Sequence, residues 1–362
     1  MKIAIFHDYL GSIGGGEKLV LELAKGLSAD IYTTDINKNN LKRLNYKNIK
    51  IFSLGKCIQF PGLKQVHSSW IFHKAKLKNY DFYILSGNWS VFATKKHQPN
   101  LYYIHTPVRM FYDSYEHFKK IASWNLIPFL LWVKLHKYFL EKQFKYINKI
   151  VTNSVNVKNR IKKYHHRESK IIYPPIKKYK FIKYGDFWLS VNRIYPHKRI
   201  DLQIEVFKNL PNEKLIIVGG YMSGDHAKNY AKRTLSNLPK NIKYLGEVSE
   251  KALEDLYGKC KAFITTSENE DFGMTVLEAM SAGKAVIAVN EGGYKETMVN
   301  NKTGILVKPN SDDLTNAIKK ISKNPKKYKN FCERRAKIFN INNFINGMKK
   351  EILSNIHKNK KI

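Results

Sequence analysis

An α/β architecture of two doubly wound parallel sheets is the fold class this sequence predicts, on three observations. Short apolar runs such as Lys2-Ile3-Ala4-Ile5-Phe6 and Lys214-Leu215-Ile216-Ile217-Val218 have the character of strands buried on both faces. They alternate with segments whose apolar residues recur at helical spacing, as strand-helix-strand units require. The chain of 362 residues also exceeds the ~250–300 beyond which a single core tends to split into domains.

In the first half, the strand at Lys2–Phe6 leads into a loop, His7 to Glu17, holding Gly14-Gly15-Gly16, and then the helix Lys18–Ala24. Glycines there let backbone approach a ligand at a helix N-terminus, where free N–H groups and the dipole favour anions; the spacing is not the Gly-x-Gly-x-x-Gly fingerprint, so a simple tight turn fits equally. Strands follow at Asp30–Thr33, Ile49–Phe52, Tyr80–Ser86 and Leu101–Ile104. The last runs into His105-Thr106-Pro107-Val108-Arg109, setting a histidine at the carboxyl end of a strand, where open α/β sheets bind ligands. Ser123 to Tyr138 mixes Trp, Leu and Lys, which suits a core helix or a membrane-surface helix. A strand at Lys149–Val151 with a polar turn follows, and Ile171-Ile172-Tyr173-Pro174-Pro175 prevents helix and favours an extended linker. The domain boundary is placed there.

The second half restarts with the strand Phe187–Val191 and the loop Asn192–Arg199, followed by the helix Asp201–Phe207. Arg193 can fork onto phosphate oxygens and Lys198 supplies a point charge, which together make a diphosphate clamp. Strand-then-glycine runs at Lys214–Gly220 and Ile242–Ser249 precede the segment that organises this half. There Ala262–Ile264 is a strand, Ser267 to Asp271 a polar loop, Thr275 to Ala282 a helix stopped by Gly283, and Ala285–Ala288 the next strand. Glu270 and Glu278 flank the helix start. Ionised carboxylates accept hydroxyl donors, and the free N–H groups at Phe272-Gly273-Met274 offer complementary donors, a combination suited to a sugar.

Composition narrows the classes. No run reaches the ~18 apolar residues of a spanning helix, and the first apolar run is too short for a signal peptide, so a cytoplasmic protein is expected. Cys57, Cys260 and Cys332 lack metal spacing and read as packing residues. Lys and Arg number 64 against 29 Asp and Glu, a formal net charge of +35. Two readings of that excess stand: attraction to an anionic membrane surface, or a compositional bias shared with the abundant Asn and Ile. No nucleic-acid module appears, and no nucleic-acid partner is expected.

Glu270-x7-Glu278 with the following Ala-Met-Ser-Ala-Gly-Lys-Ala-Val-Ile-Ala strongly resembles the donor-site signature of glycosyltransferase family 4, retaining enzymes with two Rossmann-like domains facing across a cleft, the GT-B fold. Arg193-x4-Lys198 matches the family's Arg-x4-Lys pattern, the glycine loop its Gly-Gly-x-Glu-like loop, and His105-Thr106-Pro107-Val108-Arg109 the His-Thr-Pro-x-Arg segment of a mannosyltransferase-like branch. Asp271 departs from it, standing where many members carry Gly. The resemblance implies sugar transfer from a nucleotide donor with retention at the anomeric carbon. Arg193 and Lys198 then stabilise the leaving diphosphate in place of a metal, with no cofactor beyond the nucleotide-sugar co-substrate. Glu270, the amides of Phe272, Gly273 and Met274, and His105 take the sugar hydroxyls. Glu278 takes the ribose, Gly15 and Gly16 line the cleft by the donor phosphates, and backbone near Val248 meets the base.

It further implies an acceptor-side domain of residues 1–175 to which 339–362 returns, and a nucleotide-sugar domain of 176–338. GDP-mannose is the expected donor, UDP-sugars next, and the expected acceptor is a lipid-linked or glycan intermediate of surface polysaccharide synthesis at the cytoplasmic membrane face. A sugar-nucleotide epimerase would need a different phosphate site and a phosphorylase a cofactor lysine. A noncatalytic polyanion-binding protein would account for the charge alone.

Overall fold

The computed structural model describes residues 1–11, 14–37, 41, 46, 49–60, 62–122, 126–221 and 227–359. Ser12 and Ile13 of the glycine loop, and Ser123, Trp124 and Asn125 at the start of the Trp-rich stretch, lie outside the described residues. The chain folds as two compact units, Met1–Pro175 with Ile341–Ile362, and Ile176–Asn340. The return segment thus starts at Ile341 rather than 339. Phe339 stays with the second unit, where its carbonyl accepts the Ile176 N–H at 3.1 Å and its ring meets Phe272 edge-on.

The first unit is a seven-stranded sheet in the order β3-β2-β1-β4-β5-β6-β7. Its strands are β1 (Ile3–Tyr9), β2 (Asp30–Thr34), β3 (Ile51–Ser53), β4 (Phe82–Ser86), β5 (Asn100–Ile104), β6 (Lys149–Thr152) and β7 (Lys170–Ile171), and every described pairing is parallel. Helices cover both faces, so β4 and β5 are buried along their whole length, which is why they read as unbroken apolar runs. On one face, the Gly15–Leu27 helix and the C-terminal Ile341–Asn359 helix pack on Ile3, Ile5 and Tyr103 through Leu19, Leu23, Phe344 and Met348. The two helices touch where Ile345 lies against Gly26, a position with no room for a Cβ. Asn355 ties the last helix to the sheet by donating to the Asn100 carbonyl at 2.7 Å.

Two expectations shift here. β1 continues to Tyr9, so His7 and Asp8 are strand residues and not loop. The following helix starts at Gly15, inside the glycines, because the Glu17 carboxylate takes the Gly14 N–H at 2.8 Å and caps it.

The second unit is a six-stranded sheet ordered β10-β9-β8-β11-β12-β13. Its strands are β8 (Phe187–Val191), β9 (Lys214–Val218), β10 (Ile242–Tyr244), β11 (Ala262–Thr265), β12 (Val286–Val289) and β13 (Gly304–Val307), again parallel in every described pair. β11 and β12 are wholly buried. All three cysteines are buried thiols.

Candidate active site

In the second unit, strand order reverses between β8 and β11, with β9 and β10 on one side and β12 and β13 on the other. Loops leaving the carboxyl ends of two such strands diverge and open the crevice in which ligands of open α/β sheets bind. Segments 192–199 and 266–273 are those two loops, and the 290–293 turn after β12 lies beside them. They are built as one piece. The Thr266 hydroxyl is shared between the Lys198 and Arg199 carbonyls, 2.8 Å from each, and the Glu268 N–H donates to the His197 carbonyl at 2.7 Å. Gly293 N–H donates to the Glu270 carbonyl at 2.7 Å. A Cβ at Gly292 or Gly293 would run into the backbone of residues 269–272, so these glycines are a packing requirement.

This scaffold brings Lys198 and Glu270 together. The ammonium Nζ lies 2.6 Å from Glu270 Oε2, with the side chains 17% and 21% exposed. Burial pushes the Glu270 carboxyl up, but the Lys198 charge and hydrogen bond, with help from Ser267, outweigh it and hold the carboxyl below its ordinary value. The Glu270 carboxyl is therefore ionised at neutral pH. Arg199 is engaged with Glu291 at 3.0 Å and Glu268 at 3.7 Å. Arg193 is exposed on the same loop, and among the described residues no side-chain hydrogen bond or ion pair engages its guanidinium.

Beyond Glu270 the chain enters the Met274–Ser281 helix through Gly273, whose φ of 89° is left-handed. A Cβ there would lie 2.7 Å from the Tyr294 ring. Phe272 is a buried side chain against Phe339, which leaves its backbone as the part able to meet a ligand, together with the Gly273 and Met274 amides. Asp271, the departure from the family pattern, does not have a positive φ; the left-handed residues of the loop are Asn269, at 50°, and Gly273. The backbone path therefore does not require glycine at 271.

Glu278 sits one turn into this helix and accepts the Tyr257 hydroxyl at 3.1 Å. Tyr257 is buried and stacks on Tyr179, so the carboxylate is oriented from behind. Val248 lies half-buried past the end of β10, just before Ser249 caps the Glu250–Lys259 helix. This is the carboxyl edge of the same sheet, two strands from β8.

His105, Gly15 and Gly16 belong to the first unit, whose own order reverses between β1 and β4. His105 follows β5, and its Nε2 lies 2.9 Å from Ser86 Oγ at the end of β4. A Cβ on Gly16 would come no closer than 3.8 Å to the His105 ring. The helix N-terminus and the histidine are therefore neighbours with room between them. Burial, with a smaller push from the adjacent His7, drives the His105 pKa down to about 4. His7, also lowered by burial to about 4, is 4% exposed and neither ring nitrogen makes a hydrogen bond of good geometry among the described residues. Both imidazoles are neutral at pH 7, able to accept or donate to a hydroxyl but not to pair as cations.

Asp8, at the end of β1, accepts the N–H groups of Asn88, Trp89 and Ser90 and pins the turn after β4. The 105–113 segment is held by Arg160, which donates to Thr106 Oγ1 at 3.1 Å and faces Asp113 at 3.7 Å. Arg109 also pairs with Asp113, at 3.1 Å. Sequence reasoning missed His7, Ser86, Tyr257 and Tyr294. Only His7 carried a local signal, a polar residue ending a buried strand.

Comparison with known proteins bears on the fold and the reaction class. The family model described as glycosyl transferases group 1 matches residues 176–338, nearly the whole second unit. The chain is 27% identical to the alpha-1,3/1,6-mannosyltransferase ALG2 of Dictyostelium discoideum, with 90% of each chain covered. It is 26% identical to ALG2 of Candida glabrata, over 93% of this chain and 89% of the relative. Among solved structures, Anabaena HepE in complex with UDP and glucose superposes with a TM-score of 0.71 at 19% identity, covering 97% and 99% of the two chains. Sucrose-phosphate synthase of Thermosynechococcus elongatus does so with 0.74 at 17% identity, covering 96% and 97%. The chain is thus a glycosyltransferase enzyme of the GT-B fold whose residues 176–338 match the group 1 glycosyl transferase model, with mannosyltransferases among the proteins it is similar to.

Proposed function

We propose that the protein transfers a mannosyl residue, with retention, from GDP-mannose to a lipid-linked or glycan acceptor of a surface polysaccharide. The observation that carries the donor site is the joined set of loops at the β8/β11 reversal, which gathers Arg193, Lys198, Glu270 and the Gly273-Met274 amides. In this reading the Arg193 fork and the Lys198 ammonium meet the diphosphate and stabilise the charge that grows on it as the glycosidic bond breaks. They supply the positive charge at the leaving group, with no metal or other cofactor assigned. To reach the phosphate, Lys198 turns from Glu270, whose freed carboxylate then accepts sugar hydroxyls. Glu278, steadied by Tyr257, takes the ribose hydroxyls, and backbone near Val248 meets the base. His105, Gly15 and Gly16 supply neutral hydrogen-bonding groups and helix N–H donors for the sugar and phosphate.

Mannose as the sugar is supported by the ALG2 relatives and by the His105-Thr106-Pro107-Val108-Arg109 segment. A UDP-sugar donor is the second reading, favoured by HepE, whose solved complexes hold UDP, UDP with glucose, or UDP-glucose. The lipid-linked acceptor sets the reaction at the cytoplasmic membrane face. A melting assay with GDP, UDP and their sugar conjugates tests the donor. GDP and GDP-mannose are expected to raise the melting temperature; stabilisation by UDP without GDP overturns the GDP-mannose assignment in favour of the second reading.

A further inference from the structure

Side chains along β1, β2, β4 and β5 alternate between the two faces of the first sheet. Ile3 and Ile5, Phe82 and Ile84, and Leu101 and Tyr103 share the face packed against the Gly15–Leu27 helix. His7, Ser86 and His105 are the next steps along those three rows, and Thr33 is the next after Ile31. Register sets His7 opposite Ser86 on one side and Thr33 on the other. The apolar face thus ends in a polar row at the start of the helix, where Gly16 lies beside the His105 ring. Register with β2 breaks directly after His7, and such irregularities re-aim side chains, often next to active sites.

The other polar groups of this row are spent on one another. Ser86 Oγ is engaged with His105 Nε2 at 2.9 Å, Thr33 Oγ1 donates to the Thr34 carbonyl at 3.2 Å, and the Ser86 carbonyl accepts the Ser90 hydroxyl at 2.8 Å. That carbonyl lies near enough to His7 to oppose the effect of burial on it, yet among the described residues neither ring nitrogen has a partner in hydrogen-bond geometry. At 4% exposure the imidazole is also withdrawn from bulk water. A buried polar group left unmet weakens the fold, and an apolar side chain of similar size would avoid the loss, so its presence calls for a ligand.

The chemistry of the ring narrows that ligand. With its pKa held at about 4 by burial, His7 is neutral at pH 7 and cannot meet a phosphate as a cation. No group of three or more metal-ligating side chains exists among the described residues. A neutral imidazole offers one N–H and one lone pair, and a hydroxyl, which both donates and accepts, satisfies either.

We propose that His7 is a substrate-binding residue of the transfer reaction, its buried imidazole holding a saccharide hydroxyl beside His105 at the start of the Gly15–Leu27 helix. This deepens the sugar transfer proposed above and rests on it for the identity of the ligand. The hydroxyl belongs either to the transferred sugar or to the acceptor, and the experiment separates the two.

Melting of wild type and His7→Leu is compared without ligand, with GDP and with GDP-mannose, alongside the rate of GDP release into water and onto methyl α-mannoside as probe acceptor. Without ligand, His7→Leu should melt at the wild-type temperature or above it; a loss of more than about 3 °C shows that the ring has an internal partner and overturns the proposal. If the donor sugar supplies the hydroxyl, the extra stabilisation by GDP-mannose over GDP disappears in His7→Leu while that by GDP remains. If the acceptor supplies it, both shifts remain and GDP release falls about tenfold. His7→Asn or His7→Gln, whose amides can stand in for a ring nitrogen, should recover part of whichever is lost, and recovery by neither overturns the proposal. So does a His7→Leu protein that matches the wild type in both the GDP-mannose shift and GDP release. UDP and UDP-glucose replace the GDP pair if the wild type responds to them instead. A wild type that responds to neither pair fails the donor reading and this inference with it, whereas a responsive wild type matched by His7→Leu fails this inference alone.

Discussion

Replacing Lys198 with Met leaves the Glu270 carboxylate in its partly enclosed seat without its cation, and the cost can be worked from the geometry. Unit charges 2.6 Å apart attract by about 6 kcal/mol at an effective dielectric of about 20, and desolvation returns most of that. With about a fifth of each side chain exposed, the pair lies between surface pairs, worth roughly 0.2–1 kcal/mol, and buried ones, whose disruption costs roughly 3–5; about 2 kcal/mol is expected. The pH dependence gives the sharper signature. In the wild type the Glu270 carboxyl is held below its ordinary value, first against burial and then by Lys198. Its contribution is therefore present above the unfolded carboxyl value and lost as pH falls through the folded one. In Lys198→Met the burial effect is left largely unopposed, the carboxyl moves up, and lowering pH then relieves the variant.

The deficit of Lys198→Met should thus be largest at pH 7 and shrink toward pH 4, and Glu270→Gln should rescue most of it at pH 7. Urea-dependent hydrogen exchange of β8 and β11 peptides reads the second unit alone. A deficit independent of pH, or a double-mutant coupling below about 0.5 kcal/mol, would refute the reasoning. Turnover separates the second role: the double variant regains stability but should remain about a hundredfold or more slower, because the diphosphate has lost its lysine.

Two further outcomes follow from the backbone and from buried titrating groups. Gly273→Ala should cost about 2–4 kcal/mol, since it combines a φ of 89° with a Cβ 2.7 Å from the Tyr294 ring. Gly16→Ala, with 3.8 Å of room and no positive φ, should change the melting temperature little; equal losses would show the two loops to be misread. In the first unit, His7 and His105, each lowered to about 4, favour the fold above pH 6.5 and withdraw that stability as pH falls toward 4. Asp8, raised to about 7 by burial against its three backbone donors, acts oppositely and adds stability as pH falls through 7. Asp8→Asn should therefore make the first unit lose stability more steeply between pH 7 and 4 than the wild type does, and parallel melting profiles would contradict the assignment.

The fold was legible because a strand covered by helices on both faces must be apolar at every position, so β1, β4, β5, β9 and β11 stand out as runs without any periodicity analysis. Legibility failed at the carboxyl ends of those strands, where ligand sites also form. His7 and Asp8 look like loop residues because they are polar, yet β1 carries them, and the polarity of Asp8 is met by three N–H groups some eighty residues away in sequence. Gly15 and Gly16 look like loop because glycine weakens a helix, but one carboxylate three residues past Gly14 is enough to start it. At the donor site, Arg193, Lys198, Glu270 and Glu278 lie in two short words and could be read locally. Tyr294 and Tyr257 act on Glu270 and Glu278 from other elements, and no spacing announces a partner brought in by the fold.

The charge of the molecule and the charge of its candidate site differ in sign, and this separates two jobs. Loops 192–199, 266–273 and 290–293 carry three cations, Arg193, Lys198 and Arg199, against four carboxylates, Glu268, Glu270, Asp271 and Glu291, within a chain of net charge +35. The lysine excess is therefore not gathered where the diphosphate is assigned. Arg199 is engaged with Glu291 and Glu268, and Lys198 with Glu270. Recognition of a diphosphate there depends on the exchange of the Glu270 carboxylate for a phosphate at Lys198, and on the Arg193 fork, more than on a bath of positive potential. A site arranged in this way discriminates by geometry. Segments 36–80 and 117–140 hold cations and no carboxylates of their own, with Lys64 paired to the flanking Asp35 at 3.9 Å, so most of their field reaches outward, where a broad anionic surface and not a single diphosphate would feel it.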